Sequence, residues 1–416
     1  MQINKKFTLY IFLSLTVFLG FALNENSSGG AKLDNEYLLP FIDNFSGSFL
    51  NGIDIFAKDK GALIHSPVFY FLIGNFLKFG DNLTIIKITF ILISCTLPYL
   101  FYLVLKEKYQ NNLTYLFYFS LIIFFSPYFR SSAIWLLGDN LSLIFFVLSI
   151  YFINKKKEKN KNFSNFLISL IFLSLCCYIR YYYCIFSIYY FWVFYKNLNI
   201  KKFCFLILIA FLLSSPAFIY LSYIINNYAF LERLTNYSSY NFYSNSLIIL
   251  SIILFYLLPF LVVVRNQFKI YLKNNLNLII ISFLFFSSVL FLDYFFKNKI
   301  LGFSELGGGV FVKIAQITNI DLPVFLSLVS FIAFLSLDFF FREKRFENYF
   351  LLFILILSFP ILTIYQKYFD PLFFFFFFGL IKSNQITQFL NDNSKSLKIL
   401  YTYFLSFYLF SLIYYL

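Results

Sequence analysis

The chain has 416 residues, of which 61% are hydrophobic and 12% charged, against roughly 25% charged in a soluble domain. No water-soluble core of this length absorbs so much apolar surface, so a soluble enzyme or binding module is excluded. The net charge of +14 would point to nucleic acid in a soluble protein, but its distribution marks membrane sidedness instead, and no nucleic-acid partner is expected.

Sixty-six Phe and 34 Tyr, against one Met and two Trp, read as the bias of an AT-rich coding sequence, so single aromatics carry little functional weight. Cys95, Cys176, Cys177, Cys184 and Cys204 fall in or beside apolar runs without metal-ligand spacing and read as packing residues.

Lys5 and Lys6 precede an apolar stretch at 7–23, read as a retained signal anchor and first span. Next comes the longest polar interval, Gly29–Pro67. It holds Asp34, Glu36, Asp43, Asp54 and Asp59, with Glu25 just upstream, and His65, the single histidine. The segment ALIHSPVFYFLIGNFLKF, Ala62–Phe79, is long enough to span, but doing so would invert every later loop. It is therefore expected as an interfacial or re-entrant helix, with Pro67 near its first turn and Lys78 reaching headgroups.

Further apolar runs follow at 83–105, 113–127, 138–154, 163–179, 181–195, 203–224, 246–264, 276–294, 322–341, 347–364, 371–382 and 399–416. With the first, they give an all-α polytopic membrane protein of about 13 transmembrane helices. The chain is expected to form one integral membrane domain over 1–416, within which 24–82 is an outer-face loop with its interfacial helix. With the N-terminus in the cytoplasm, every inside segment carries at least two Lys or Arg, among them Lys106, Lys155, Lys201, Arg265, Lys273, Arg342, Arg345 and Lys398, in accord with the positive-inside pattern. The inside loops are short and hold no G-x-x-x-x-G-K-[ST] motif.

Several residues invite chemistry. Asp34 and Glu36 lie just beyond the first span, where a carboxylate suits a general base acting at the membrane surface; a solvated acidic loop is the plainer reading. His65 suits a phosphate or proton contact, or a structural place at a helix entry. Arg130, in SPYFRSSAIWLLGDN, and Arg180, in CCYIRYYYC, lie at span ends where arginines meet anions or snorkel to headgroups. Asp139 reads as a helix cap. Lys367 and Asp370, in YQKYFDP, are expected to face the outer surface. Gly307–Gly309 would let a backbone approach a phosphate.

The pattern resembles the GT-C superfamily of polyprenyl-phosphate-dependent glycosyltransferases, which includes mannosyltransferases and aminoarabinose transferases. The resemblance rests on Leu33-Asp34-Asn35-Glu36-Tyr37 as the acidic motif and on the Pro-containing stretch His65–Ser94. It is clearest over residues 1–200, with Tyr365–Pro371 as a late landmark. It implies a glycosyltransferase using a polyprenyl-phosphate sugar donor and a glycan, lipid or protein acceptor, in contact with membrane lipid, on the extracytoplasmic face of a bacterial inner membrane. By the same resemblance Asp34 is the base, and Arg180 and Lys367 are donor-phosphate contacts. Asn35 separates the two acids that the family often places side by side, so either carboxylate fits the base. No cofactor is required, and metal ligands are assigned to none of these residues; a divalent cation is left open. The alternative reading is a lipid-linked saccharide flippase or secondary transporter, for which Lys87, Asp293 and Asp338 would be the charged residues near a path.

Overall fold

The computed structural model describes residues 5–59, 65–80, 82–110, 112–155, 162–227, 241–296, 301, 303, 307–361, 363–392 and 394–415. The basic run 156–161 and most of the tyrosine-rich segment 225–245 lie outside them. Among the described residues every regular element is a helix or helical turn, and no strand forms.

Seven helices are long and apolar enough to cross a membrane: Lys5–Ala22, Leu83–Tyr109, Ile200–Ile225, Phe242–Val263, Leu276–Phe295, Leu322–Phe341 and Ser396–Tyr415. A bent pair, Leu113–Phe125 with Pro127–Ile134, makes an eighth if it counts as one span. This is the architecture of an all-α polytopic membrane protein, with fewer full-length spans than the 13 expected. The remaining apolar runs become shorter pieces: Asp139–Asn154, Asn162–Ile179, Tyr181–Phe186 followed by Ser187–Asn197, Arg345–Leu357, and the turns Leu372–Phe374 and Phe375–Leu380. The last two are buried along their whole length. Irregular backbone at membrane depth is tolerated where protein covers it.

Backbone contacts divide the chain into two compact units, Met1–Leu234 with Phe404–Leu416, and Thr235–Tyr403. In the first, α1 (Lys5–Ala22) leads into three helices that occupy the polar interval: α2 (Ala31–Gly47), α3 (Phe49–Lys58) and α4 (Val68–Gly80). The interval expected as a loop is thus largely helical. Its sequence explains this: Ala31, Asn35, Leu38, Phe41, Ile42 and Phe45 recur at helical spacing and are all buried. Gly74 lets α4 cross α2 closely, since a Cβ there would lie 2.7 Å from the Ile42 carbonyl oxygen and 3.0 Å from the Ser46 nitrogen. At 13 residues, α4 is only about 20 Å long, too short to span, as an interfacial helix should be.

Next, α5 (Leu83–Cys95) and α6 (Leu97–Tyr109) run as one long span. The Asn82 side chain caps it by accepting from the Thr84 and Ile85 nitrogens at 3.0 and 3.3 Å. Beyond α7 (Leu113–Ser120) the path bends by 66° into α8 (Pro127–Ile134). Pro127 has no N–H to continue the ladder, and Ser126 Oγ accepts from the Phe129 nitrogen at 2.9 Å to start a new helix. A tight turn then enters α9 (Asp139–Asn154), which packs on α10 (Asn162–Ile179). Two more helices follow, α11 (Ser187–Asn197) and α12 (Ile200–Asn227).

The second unit is built around α13 (Phe242–Val263), buried along most of its length. After it come α14 (Arg265–Asn274), α15 (Leu276–Phe295), α16 (Gly309–Thr318), α17 (Leu322–Phe341), α18 (Arg345–Leu357) and α19 (Asn384–Asp392). Ser330 Oγ of α17 donates to the Leu247 carbonyl of α13 at 2.9 Å. The final helix, α20 (Ser394–Tyr415), contributes its residues from Phe404 onward to the first unit.

Candidate functional site

The polar residues of the first unit gather where α2, α4, α5 and the α8–α9 turn meet. Arg180 stands at the break after α10, where its backbone turns extended before Tyr181–Phe186. Its guanidinium donates to Asp139 Oδ2 at 2.6 Å and meets His65 Nδ1 at 2.5 Å. Arginine only donates, so His65 accepts through Nδ1, and in the neutral ring the proton rests on Nε2. Arg180 Nε is buried and meets no hydrogen-bond acceptor among the described residues. Burial alone would lower the Arg180 pKa, but Asp139, Tyr182 and Tyr70 hold it well above its ordinary value, so the cation persists.

Asp139 does not cap α9 as expected. It is the first helical residue, following Gly138, and its carboxylate faces Arg180 instead. The turn that presents it is over-determined. Leu136 adopts φ +53, a left-handed conformation costly for leucine. It is held there by Ser132, whose carbonyl accepts from the Leu137 nitrogen at 3.0 Å and whose hydroxyl donates to the Leu137 carbonyl at 3.1 Å. Asn140 Nδ2 donates to the Phe129 carbonyl at 2.9 Å.

Tyr70, on α4, is buried beside this pair. Burial pushes its phenol up, Arg180 pulls it back, and Asp139, Asp34 and Tyr37 push it up again. Asp34 therefore acts electrostatically on the same phenol as Arg180 and Asp139. It lies half-buried in the first turn of α2, on the packed side with Ala31, Asn35 and Leu38, while Glu36 is exposed. Helical geometry separates the two acids that the sequence leaves equivalent: 100° per residue turns Glu36 away from the face that Asp34 shares.

Two further cations of the first unit, not assigned to a site from the sequence, meet at Trp135. Lys32 Nζ and Lys87 Nζ lie 6.0 and 5.3 Å from the centre of the Trp135 ring, within cation–π range. The Trp135 indole N–H is fixed by the Glu25 carbonyl at 2.8 Å. Nothing local in the sequence marks this meeting, because Lys32, Lys87 and Trp135 lie on three different elements.

Arg130 is placed otherwise. Its Nε and Nη2 donate to the Glu25 carboxylate at 2.8 and 2.6 Å, and its Nη1 and Nη2 donate to the Thr16 hydroxyl and carbonyl at 3.0 and 2.8 Å. The guanidinium lies 4.7 Å from the Tyr408 ring centre. Arg130 and Glu25 are both buried, so this arginine joins α1, α8 and the C-terminal helix from within.

Lys367 and Asp370 belong to the second unit. Lys367 Nζ rests 5.4 Å from the Tyr365 ring centre and 5.9 Å from that of Tyr368. Asp370 is buried rather than facing outward as expected. The adjoining glycines explain themselves by the fold. Gly307, Gly308 and Gly309 all have left-handed φ, and the turn they make lets the Gly308 nitrogen donate to the Ile364 carbonyl at 2.7 Å and the Val310 nitrogen to Gln366 Oε1 at 3.0 Å.

Of the acids weighed for a transport path, Asp293 accepts from the Leu301 nitrogen at 2.7 Å. Asp338 is held by Tyr271, Tyr349 and Arg345 at 2.5, 2.7 and 2.9 Å. Among the described residues no three His, Cys, Asp or Glu side chains gather as metal ligands. Comparison of the chain with family models, curated proteins and solved structures finds no match.

Proposed function

We propose that the chain is a membrane glycosyltransferase that moves a sugar from a polyprenyl-phosphate donor to an acceptor at the outer face of a bacterial plasma membrane. The observation that carries this reading is the meeting of Tyr70, His65, Asp139 and Arg180 in the first unit, with the Asp34 charge among those that raise the Tyr70 phenol. It adds to the resemblance of the acidic motif and of the Pro-containing stretch.

In this mechanism the Asp34 carboxylate takes the proton of the acceptor hydroxyl. The acceptor oxygen forms a bond to the anomeric carbon as the bond from that carbon to the phosphate oxygen breaks. The electron pair leaves with the polyprenyl phosphate, and attack from the opposite face inverts the anomeric centre. Arg180, whose buried Nε–H meets no acceptor among the described residues, is assigned to the phosphate, with Lys87 and Lys32 as further candidate cations of the first unit. His65 and Asp139 are positioning residues that hold the guanidinium. Lys367, in the second unit, is left out of this site. Glu36 is set aside as the base because it is exposed. No step is routed through a metal ion.

The test is sugar transfer by the purified full-length protein with a panel of polyprenyl-phosphate sugars, beside Asp34→Asn and Glu36→Gln. Loss of a general base lowers the rate about 10²–10⁴-fold, so Asp34→Asn should fall by that factor while Glu36→Gln stays near the parent. Full turnover by Asp34→Asn, or no transfer from any donor, would overturn the assignment.

A further inference from the structure

A second polar concavity lies in the other unit. It is an open cavity of about 450 Å³ at the junction of α14 and α15, lined by Lys273, Asn274, Asn275, Asn277, Leu278 and Arg345. That volume is within the range of small-molecule sites, about 300–1,000 Å³. Its chemistry is one-sided, with two cations and three carboxamides on the lining and no carboxylate among the lining residues.

Of the neighbouring acids, Asp338 pairs with Arg345 of the lining itself, while Glu343 and Glu347 are engaged elsewhere. Both Asp338 oxygens are taken by Tyr271, Tyr349 and Arg345. Glu343 accepts from the Asn384 nitrogen at 3.0 Å, and Glu347 pairs with Lys382 at 2.9 Å. A further cation, Arg342, lies 5.6 Å from the Tyr271 ring centre. The pairing with Asp338 uses one Arg345 nitrogen, and a guanidinium has five N–H donors.

The surroundings are those of a membrane surface. The α14 helix carries Arg265, Lys269 and Lys273 between two full-length spans, α13 and α15, and the charge pattern puts this end on the cytoplasmic side. Leu276 also lines the cavity, and from it Ile280 and Leu284 recur at four-residue spacing along α15; all three are exposed, as is Ile270 on α14. Cations and amides at the level of the headgroups, with an apolar face running on from them, match an anionic amphiphile.

We propose that this cavity binds the phosphate headgroup of an anionic phospholipid from the cytoplasmic leaflet, with its acyl chains along the exposed face of α15. The test is native mass spectrometry of the full-length protein in detergent with equimolar phosphatidylglycerol and phosphatidylcholine. The parent should retain phosphatidylglycerol preferentially. Lys273→Gln should reduce that retention about fivefold, the effect of one basic residue at a membrane surface, and Asn277→Leu should weaken it at unchanged charge. Lys201→Gln, an exposed lysine of the first unit, should leave it unchanged. Equal retention of the two lipids, parent-like retention by Lys273→Gln, or an equal loss in Lys201→Gln would overturn the site. Displacement of the lipid by equimolar glycerol phosphate would assign the cavity to a free phosphate compound and overturn the lipid reading.

Discussion

Arg130 and Arg180 look alike in the sequence, each a lone arginine between apolar runs, and the structure gives them different work. Arg130 neutralises Glu25 in a site where both side chains are almost wholly buried, at 4% and 6% exposure. Removing one partner of such a pair strands the other charge, at a cost of about 3–5 kcal/mol. Arg130→Ala should therefore lower the midpoint of thermal unfolding sharply, while Arg130→Met combined with Glu25→Gln should recover most of the loss. A parent-like midpoint for Arg130→Ala would contradict the structural role. Which arginine was which could not be read from the chain, because the distinguishing partners, Glu25 at a separation of 105 residues and Asp139 at 41, are set by tertiary packing. Asp139 was misread for the same reason: a carboxylate at a helix start suits a cap, and only the arrival of Arg180 turns it into an ion pair. Asp34 stands out in the sequence as part of a short acidic motif beside the first span, and the structure puts it half-buried on the packed side of α2 with Glu36 exposed.

At the scale of elements, the crossing of α2 and α4 holds the proposed base near Tyr70, and Gly74 sets its distance. A methyl group there would press on the backbone of α2 at Ile42 and Ser46, and overpacking of this kind costs about 1–3 kcal/mol. Gly74→Ala should lower the unfolding midpoint and reduce transfer. Gly47→Ala is the control, because a Cβ at Gly47 meets nothing within 4 Å, and it should leave both unchanged. Equal behaviour of the two variants would show that the crossing does not position the base. Much of this level was legible. The apolar runs gave helices, and α4, expected as interfacial, is too short to span. Hydropathy fails at breaks. It cannot see that Ser126 and Pro127 end one helix and begin another, although it does separate 163–179 from 181–195 at Arg180. It also read the polar interval as a loop, because composition hides the helical spacing of Leu38, Phe41, Ile42 and Phe45.

For the whole molecule, alternation of the expected spans puts residues 24–82, Trp135–Asp139 and Arg180 on one side of the membrane, and the contacts of the first unit bring these stretches together at Asp139–Arg180–His65 and at Lys32–Trp135–Lys87. Packing thus brings together stretches that the alternation of the expected spans would put on one side. The boundary between the two units falls within the polar, tyrosine-rich segment 225–245, with apolar runs of similar composition on both sides of it. The account as a whole stands on the acidic helix facing out and the basic end of α14 facing in. The most direct measurement is labelling of single cysteines with a membrane-impermeant maleimide in intact and permeabilised cells, in a background whose native cysteines are replaced. Glu36→Cys should react in intact cells and Lys273→Cys only after permeabilisation. Reaction of Glu36→Cys only after permeabilisation would put the proposed base on the cytoplasmic side and contradict the account.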